Sequence, residues 1–197
     1  RDCLLSRGLG DVYKRQIQNE PLLSANIKMT EWLQQGLDVS YRASDGQIRC
    51  DHLKLIDQEN IDNNVFTVVN QWTIVNGTNT KRADIVVFIN GLPIAVVELK
   101  SPTREVTNSE EAWLQLQNYM RRVPQLFTAC QLCVISDMAD TRVGSITAPL
   151  DRFMEWKTTD GSYESTSVAD FETLFNGMFK KERLVDIITH FTMAMGT

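Results

Sequence analysis

Asp84, Glu98 and Lys100 are the residues of this chain best suited, by type and spacing, to do chemistry. They fall in the run Arg82-Ala-Asp84-Ile-Val-Val-Phe-Ile-Asn90-Gly91-Leu-Pro93-Ile-Ala-Val-Val-Glu98-Leu-Lys100. Asp84 opens one strongly apolar segment, and Glu98 and Lys100 close the next. A carboxylate buried without a partner costs several kcal/mol or takes up a proton. A divalent metal removes that problem, because it takes hard oxygen ligands and offsets both charges. Two carboxylates can hold Mg²⁺ and leave positions for waters and a phosphate oxygen. Such an ion polarises a phosphate and lowers the pKa of a bound water. Lys100 is then suited to orient that water or to stabilise charge on the phosphate.

The site depends on register. Side chains alternate along a strand, so Glu98 and Lys100 share a face. The face on which Asp84 falls depends on the turn at Asn90-Gly91. A two-residue loop pairs Ile89 with Leu92, places Asp84 opposite Val97 and turns Glu98 away from it. A three-residue Asn-Gly-Leu loop pairs Ile89 with Pro93 and sets Asp84 opposite Glu98. A metal site therefore requires the odd-length loop or a bulge nearby, and a one-residue slip destroys it. The other reading of these residues is an ordinary hairpin whose end charges are solvated or joined as a Lys–Glu pair.

The elements around this run follow from periodicity. Residues 24–35 have helical spacing, with Ser24 as a cap and Gly36 as a stop. Residues 37–43 and 48–56 alternate about a Ser44-Asp45-Gly46-Gln47 turn and read as a hairpin. Residues 65–75 are rich in β-branched and aromatic types, and Asn76-Gly77-Thr78-Asn79 breaks them. Segments 84–89 and 94–100 are apolar on both faces, as central strands covered on each side are. Thr107-x-x-Glu110 is a capping box opening a helix over 108–122, which Pro124 ends. Residues 131–137 and 142–147 read as strands, 150–157 as a short helix, and 168–192 as helix broken at Asn176-Gly177. This order predicts an α/β or α+β layer fold around a mixed sheet, with the 108–122 helix crossing over between strands.

The chain has 197 residues, 43% of them hydrophobic and 23% charged, which suits one domain with room for an appendage. The formal net charge of −5 argues against a simple nucleic-acid binder, so DNA contact would need a local basic patch or partner subunits. Cys3, Cys50, Cys130 and Cys133 form no disulfide framework, and a reducing, cytoplasmic location fits them best. Cys130-x-x-Cys133 has zinc-like spacing without a second pair, so both are assigned to the core. No apolar run reaches membrane-spanning length. The chain lacks a starting Met and stops at Gly196-Thr197 in a helical segment, so a fragment is expected. Residues 1–16 look like translated adapter sequence and are left out of the fold expectation.

The run RADIVVFINGLPIAVVELKSP resembles the nuclease signature of the restriction (R, motor) subunit of type I restriction-modification enzymes, in the PD-(D/E)xK nuclease superfamily. NVFTVVNQWTIV at 64–75 is similar to the family's strand before its first catalytic Asp. Glu111-Ala112 and Gln115-Leu-Gln-Asn-Tyr119 are similar to its helical Gln-x-x-x-Tyr motif. Pro124-Gln-Leu-Phe127, VISDMADTRVGSIT and Phe153-Met-Glu-Trp156 match it too. Ala83 departs from the superfamily pattern, which has Pro before the first Asp.

That resemblance implies an α/β fold with a restriction-endonuclease-like mixed central β-sheet flanked by helices. It implies a nuclease domain over 17–167, followed at 168–197 by helices leading toward a helicase motor. Asp84 and Glu98 would be metal ligands, Lys100 the catalytic lysine, and Gln115 and Tyr119 a catalytic pair sharing one helix face. The implied activity is Mg²⁺-dependent cleavage of double-stranded DNA, with ATP used only by the absent motor. Implied partners are the modification and specificity subunits of a type I complex. The rivals are a stand-alone PD-(D/E)xK nuclease of another role and a nuclease-dead module that docks DNA or partners.

Other residues carry weaker signals. Related nucleases place an acid on an early helix, for which Glu20 and Glu31 are the candidates. His52 and His190 lack a nucleophile partner and read as surface or core residues. Trp72, Trp113 and Trp156 read as core anchors, with base stacking open to an exposed one. Lys81, Arg82 and Arg104 flank the site and could meet phosphate. Arg121-Arg122 and Lys180-Lys181 read as solvated faces. No G-x-x-x-x-G-K-[ST] motif occurs, so ATP is not bound here by that route.

Overall fold

Ala25, Met29 and Leu33 recur at helical spacing and form the buried stripe of helix α1, Leu22–Gln35. The computed structural model describes residues 17, 20–101, 108–137, 140–160 and 171–192. Helix α1 starts before the expected cap. Pro21, whose ring fixes φ, takes the N-cap position, and Ser24 lies inside the first turn. Gly36 ends the helix with φ 84°, as expected. Strands β1 (Leu37–Arg42) and β2 (Ile48–Leu53) then form the expected hairpin as a separate two-stranded sheet.

The main sheet has six strands in sequence order: β3 (Phe66–Asn76), β4 (Asn79–Ile89), β5 (Leu92–Leu99), β6 (Leu132–Ser136), β7 (Thr141–Gly144) and β8 (Met154–Glu155). Neighbours are antiparallel except β5 and β6, which are parallel. A parallel pair needs a crossover. Helix α2, Asn108–Arg122, supplies it over the span expected. Thr107 of the capping box lies outside the described residues.

Helix α2 covers one face of the sheet through Ala112, Leu116 and Tyr119, packed with Val86, Val96, Cys133 and Ile135. The other face is covered by α1 and two C-terminal helices, α3 (Phe171–Gly177) and α4 (Lys181–Asp186). Their Met29, Leu174 and Leu184 pack with Val87, Ile89, Val97 and Val134. Strand β5 is therefore buried on both sides, as its unbroken apolar run predicts. Each such aliphatic side chain contributes roughly 1.5–3 kcal/mol on burial, so the core holds the register firmly.

Residues 150–157 do not form the expected helix. Leu150–Arg152 is one 3₁₀ turn, and Met154–Glu155 pairs with β7 as an edge strand. Both strand residues are exposed, so it is the ladder pairing with β7 that wins over helical spacing here. The break at Asn176-Gly177 is real, since α3 ends at Gly177. A Cβ there would lie 2.3 Å from both Trp156 Nε1 and Thr158 O, so the close approach admits only glycine. Among the described residues no helix is long and apolar enough to cross a membrane.

Candidate active site

The hairpin joining β4 and β5 meets its register requirement through a bulge. The loop is the two-residue one, with Ile89 paired to Leu92 and positive φ at Asn90 (51°) and Gly91 (80°). Alone it would set Asp84 opposite Val97. However, Phe88 pairs with Pro93 while Val87 pairs with Ala95, which leaves Ile94 as an extra residue on β5. Beyond it Ile85 pairs with Val97, and continuing one step places Asp84 opposite Glu98. Packing shows the same shift. Leu92, Ile94, Ala95 and Val97 all join the cluster on the α1 side, and Val96 joins the one beneath α2. The parity of β5 changes between Ile94 and Ala95, which carries Glu98 to the face that holds α2.

On that face the charged groups meet. Asp84 Oδ2 accepts the Leu99 backbone N–H at 2.9 Å, so its carboxylate reaches the backbone between Glu98 and Lys100. Its Oδ1 accepts the Gln71 side-chain amide at 3.0 Å. Lys100 Nζ donates to Glu98 Oε1 at 2.9 Å. Glu98 is 3% exposed, and its Oε2 is buried with no hydrogen-bond partner among the described residues. Burial pushes the Glu98 carboxyl above the usual range. The Lys100 bond opposes that rise and the Asp84 charge adds to it.

Helix α2 brings Gln115 and Tyr119 to the same place. Gln115 Nε2 donates to the Tyr119 hydroxyl at 2.9 Å, and that hydroxyl donates to the Arg82 carbonyl at 2.8 Å. Tyr119 is 3% exposed. Burial pushes its pKa up to about 12, with the charges of Glu98 and Asp84 adding to the rise. The hydroxyl therefore keeps its one proton and donates it to Arg82 O, while lying close enough to Glu98 to temper its charge. All five residues expected at the site are thus gathered on two adjacent strands and the helix above them.

The donors suit a hard cation. Glu98 Oε2 lacks a bond, and each Asp84 oxygen keeps a lone pair beyond its one accepted hydrogen bond. Among the described residues no group of three or more His, Cys, Asp or Glu side chains converges, so waters or a phosphate would complete any shell.

Other candidates lie elsewhere. Glu20 is paired with Lys28 at 2.9 Å and Glu31 is exposed, and neither bonds to the cluster. The Arg82 side chain is exposed and Lys81 half-buried, while Arg104 lies outside the described residues. His52 pairs with Asp38 at 2.8 Å and His190 with Asp186 at 3.0 Å, both at the surface. Trp113 and Trp156 are half-buried with their indole N–H groups bonded to Ala148 O and Thr158 O. Trp72 departs from the core-anchor expectation. It is 38% exposed, because β3 is an edge strand, and packs edge-on against Phe88. Cys130 and Cys133 are buried beneath α2, and the Cys130 contact with burial pushes the Cys133 thiol well up. Sequence reasoning missed Gln71. Its signal was the polar Asn70-Gln71 pair inside an otherwise apolar strand, but linking it to Asp84 required the β3–β4 register.

A mixed six-stranded sheet, its parallel crossover helix on one face and charges clustered at the edge of its central hairpin, defines a restriction-endonuclease-like α/β domain. Residues 8–152 match the family model for the type I restriction enzyme R protein N terminus, and the chain belongs to that family. The match begins at residue 8, inside the 1–16 stretch that resembles adapter sequence. The chain is 34% identical over 176 residues to the type I restriction enzyme HindI endonuclease subunit of Haemophilus influenzae, covering 87% of this chain and 17% of that protein. A Methanocaldococcus jannaschii protein, provisionally named the MjaIXP endonuclease subunit of a type I restriction enzyme, is 33% identical over 182 residues, with coverages of 82% and 17%. The Escherichia coli type I restriction enzyme EcoprrI endonuclease subunit is 28% identical over 158 residues, with coverages of 76% and 47%. The chain thus spans about a sixth of the length of the first two relatives.

Proposed function

We propose that this chain is the endonuclease part of a type I restriction R subunit, cutting double-stranded DNA by Mg²⁺-dependent phosphodiester hydrolysis. The observation that carries the proposal is the buried, unbonded Glu98 Oε2 beside Asp84 and Lys100. A carboxylate oxygen so placed costs stability unless a ligand satisfies it. Asp84 and Glu98 would hold the ion. When bound, Mg²⁺ supplies a Lewis acid for the phosphate and a water that ionises near neutral pH. Lys100, tethered to Glu98 and 23% exposed, is positioned to orient that water and to offset charge on the phosphate. Gln115 and Tyr119 keep the α2 face of the site in place through the Arg82 carbonyl, and the Gln115 amide stands ready for a phosphate oxygen. DNA delivery would fall to an ATP-driven motor and to modification and specificity subunits in the cytoplasm, which accommodates the net charge of −5.

The test is cleavage of unmodified plasmid by the complete subunit assembled with its partners, with Mg²⁺ and ATP. Wild type should linearise the plasmid. Asp84→Ala and Lys100→Ala should retain ATP hydrolysis and lose cleavage. A wild-type complex that binds and translocates on DNA but cuts none, with Mg²⁺ or Mn²⁺, refutes the nuclease reading in favour of a docking module.

A further inference from the structure

The β3–β4 ladder carries a second irregularity, on the opposite side of Asp84 from the β5 bulge. Asn70 pairs with Ile85 and Trp72 with Ala83, so Gln71 stands across from Asp84. Gln71 has φ 53°, in the left-handed region, although it lies in the middle of an eleven-residue strand. That conformation is unfavourable for a residue with a Cβ and foreign to extended backbone. Ala83 and Val86 both pack beneath α2 although they are three residues apart. Regular alternation would send them to opposite faces, so β4 changes parity at this point as β5 does at Ile94.

Packing does not account for the strained residue, because Gln71 is exposed. Its side-chain amide makes a hydrogen bond to Asp84 Oδ1 at 3.0 Å. The other Asp84 oxygen is held from the opposite strand by Leu99 N–H at 2.9 Å. Two donors on two strands fix the plane of one carboxylate. A neutral amide does so without adding negative charge beside Glu98. Groups that orient a ligating carboxylate in this way tune metal affinity about 10–100-fold. Sparsely populated backbone conformations persist where the surrounding structure enforces them, and they cluster at functional sites.

We infer that Gln71 is a positioning residue that sets the orientation of the Asp84 carboxylate for the divalent cation it shares with Glu98. This rests on the nuclease reading above. Gln71→Gly separates its two possible roles. Glycine accepts a positive φ but removes the amide, so the fold gains or keeps stability while the carboxylate loses a tether. Gln71→Ala removes the amide and keeps the strained Cβ.

The experiment is a Mn²⁺ titration of the 197-residue chain, followed by electron paramagnetic resonance and paired with thermal melts. Wild type should bind Mn²⁺ and Asp84→Ala should not. Gln71→Gly should melt at or above the wild-type temperature and bind Mn²⁺ about ten-fold or more weakly. Gln71→Ala should bind as weakly and melt lower. If Asp84→Ala abolishes binding but Gln71→Gly binds like wild type, the inference about Gln71 is overturned and the nuclease reading stands. If wild type binds no Mn²⁺, or Asp84→Ala binds as well as wild type, the nuclease reading fails and the inference about Gln71 fails with it.

Discussion

Buried polar groups in this molecule are treated in two opposite ways. Asn26 on α1 sends its amide to the carbonyls of Phe127, Thr128 and Cys130, at 3.1, 3.1 and 2.8 Å. Asn90 at the β4–β5 turn accepts Val65 N–H at 2.8 Å and donates to Leu55 O and Asn64 Oδ1 at 2.9 and 2.8 Å. At the other end of the same hairpin, Glu98 keeps one oxygen without a hydrogen bond among the described residues. The first ties a loop to helix α1 and the second ties loops to the β4–β5 turn, and neither leaves a buried polar side-chain atom unmatched among the described residues. Glu98 is costly to the fold, and its neighbours Lys100 and Tyr119 offset only part of the effect of burial. Polar groups that serve the architecture are saturated by it, and the one left unsaturated is the one proposed to serve a ligand.

The largest effect should come from removing that ligand chemistry. Asp84→Ala or Lys100→Ala should lower DNA cleavage about 1,000-fold, the scale of losing one preorganised electrostatic group. Melting temperature should change little for Asp84→Ala and fall for Lys100→Ala, which leaves the buried Glu98 carboxylate without its one hydrogen-bond donor among the described residues. A variant that cuts normally would erase the distinction between the two ends of the hairpin.

Next comes the architectural side. Asn26→Ala leaves buried carbonyls short of a donor and should cost about 2–3 kcal/mol in denaturant unfolding. Metal affinity of the folded fraction should be unchanged. A loss of under about 0.5 kcal/mol would mean that Asn26 is not the clamp its three contacts indicate.

Glu98→Gln should move in the reverse direction, raising the stability of the metal-free chain by about 1 kcal/mol while abolishing Mn²⁺ binding. The pH dependence sharpens this. Because the folded-state pKa of Glu98 is raised, the folded chain holds the extra proton between the ordinary carboxylate range and that raised value. Metal-free stability should therefore fall as pH rises through that window, and Glu98→Gln should flatten the fall. Cation affinity should run the other way and weaken as pH drops, because the proton competes for the same oxygen. Equal slopes for the two chains would contradict the burial argument.

The smallest effect belongs to Tyr119→Phe. It removes the O–H to Arg82 O and the acceptor for Gln115, and should cost about 0.5–1.5 kcal/mol. A chemical-denaturation series resolves a change of that size.

Much of this is legible in the sequence. The doubly apolar runs marked β4 and β5 as central strands, and four-residue spacing put Gln115 and Tyr119 together. The requirement that Asp84 and Glu98 share a face was also legible, though its means was not. A type I′ turn plus a bulge satisfies the same parity as a longer loop, and nothing local in Leu92–Val97 chooses between them. The extra residue is accommodated because Ile94 and Ala95 can both bury on the α1 side, which is a tertiary effect. Phe153–Trp156 misled for the same reason, since pairing with β7 decides the conformation of a segment whose local spacing also suits a helix. Gln71 was hidden because its meaning lies in a cross-strand neighbour thirteen residues away.

Ile94 carries no reactive group, yet the proposed site depends on its being counted. Deleting it would leave every acid, base and amide of the site in the chain and turn Glu98 and Lys100 to the α1 side of the sheet, out of reach of Asp84 and Tyr119. The proposed catalytic set is specified by an odd number as much as by letters, so on that proposal a relative one residue shorter at this point should be an inactive hairpin with an intact motif.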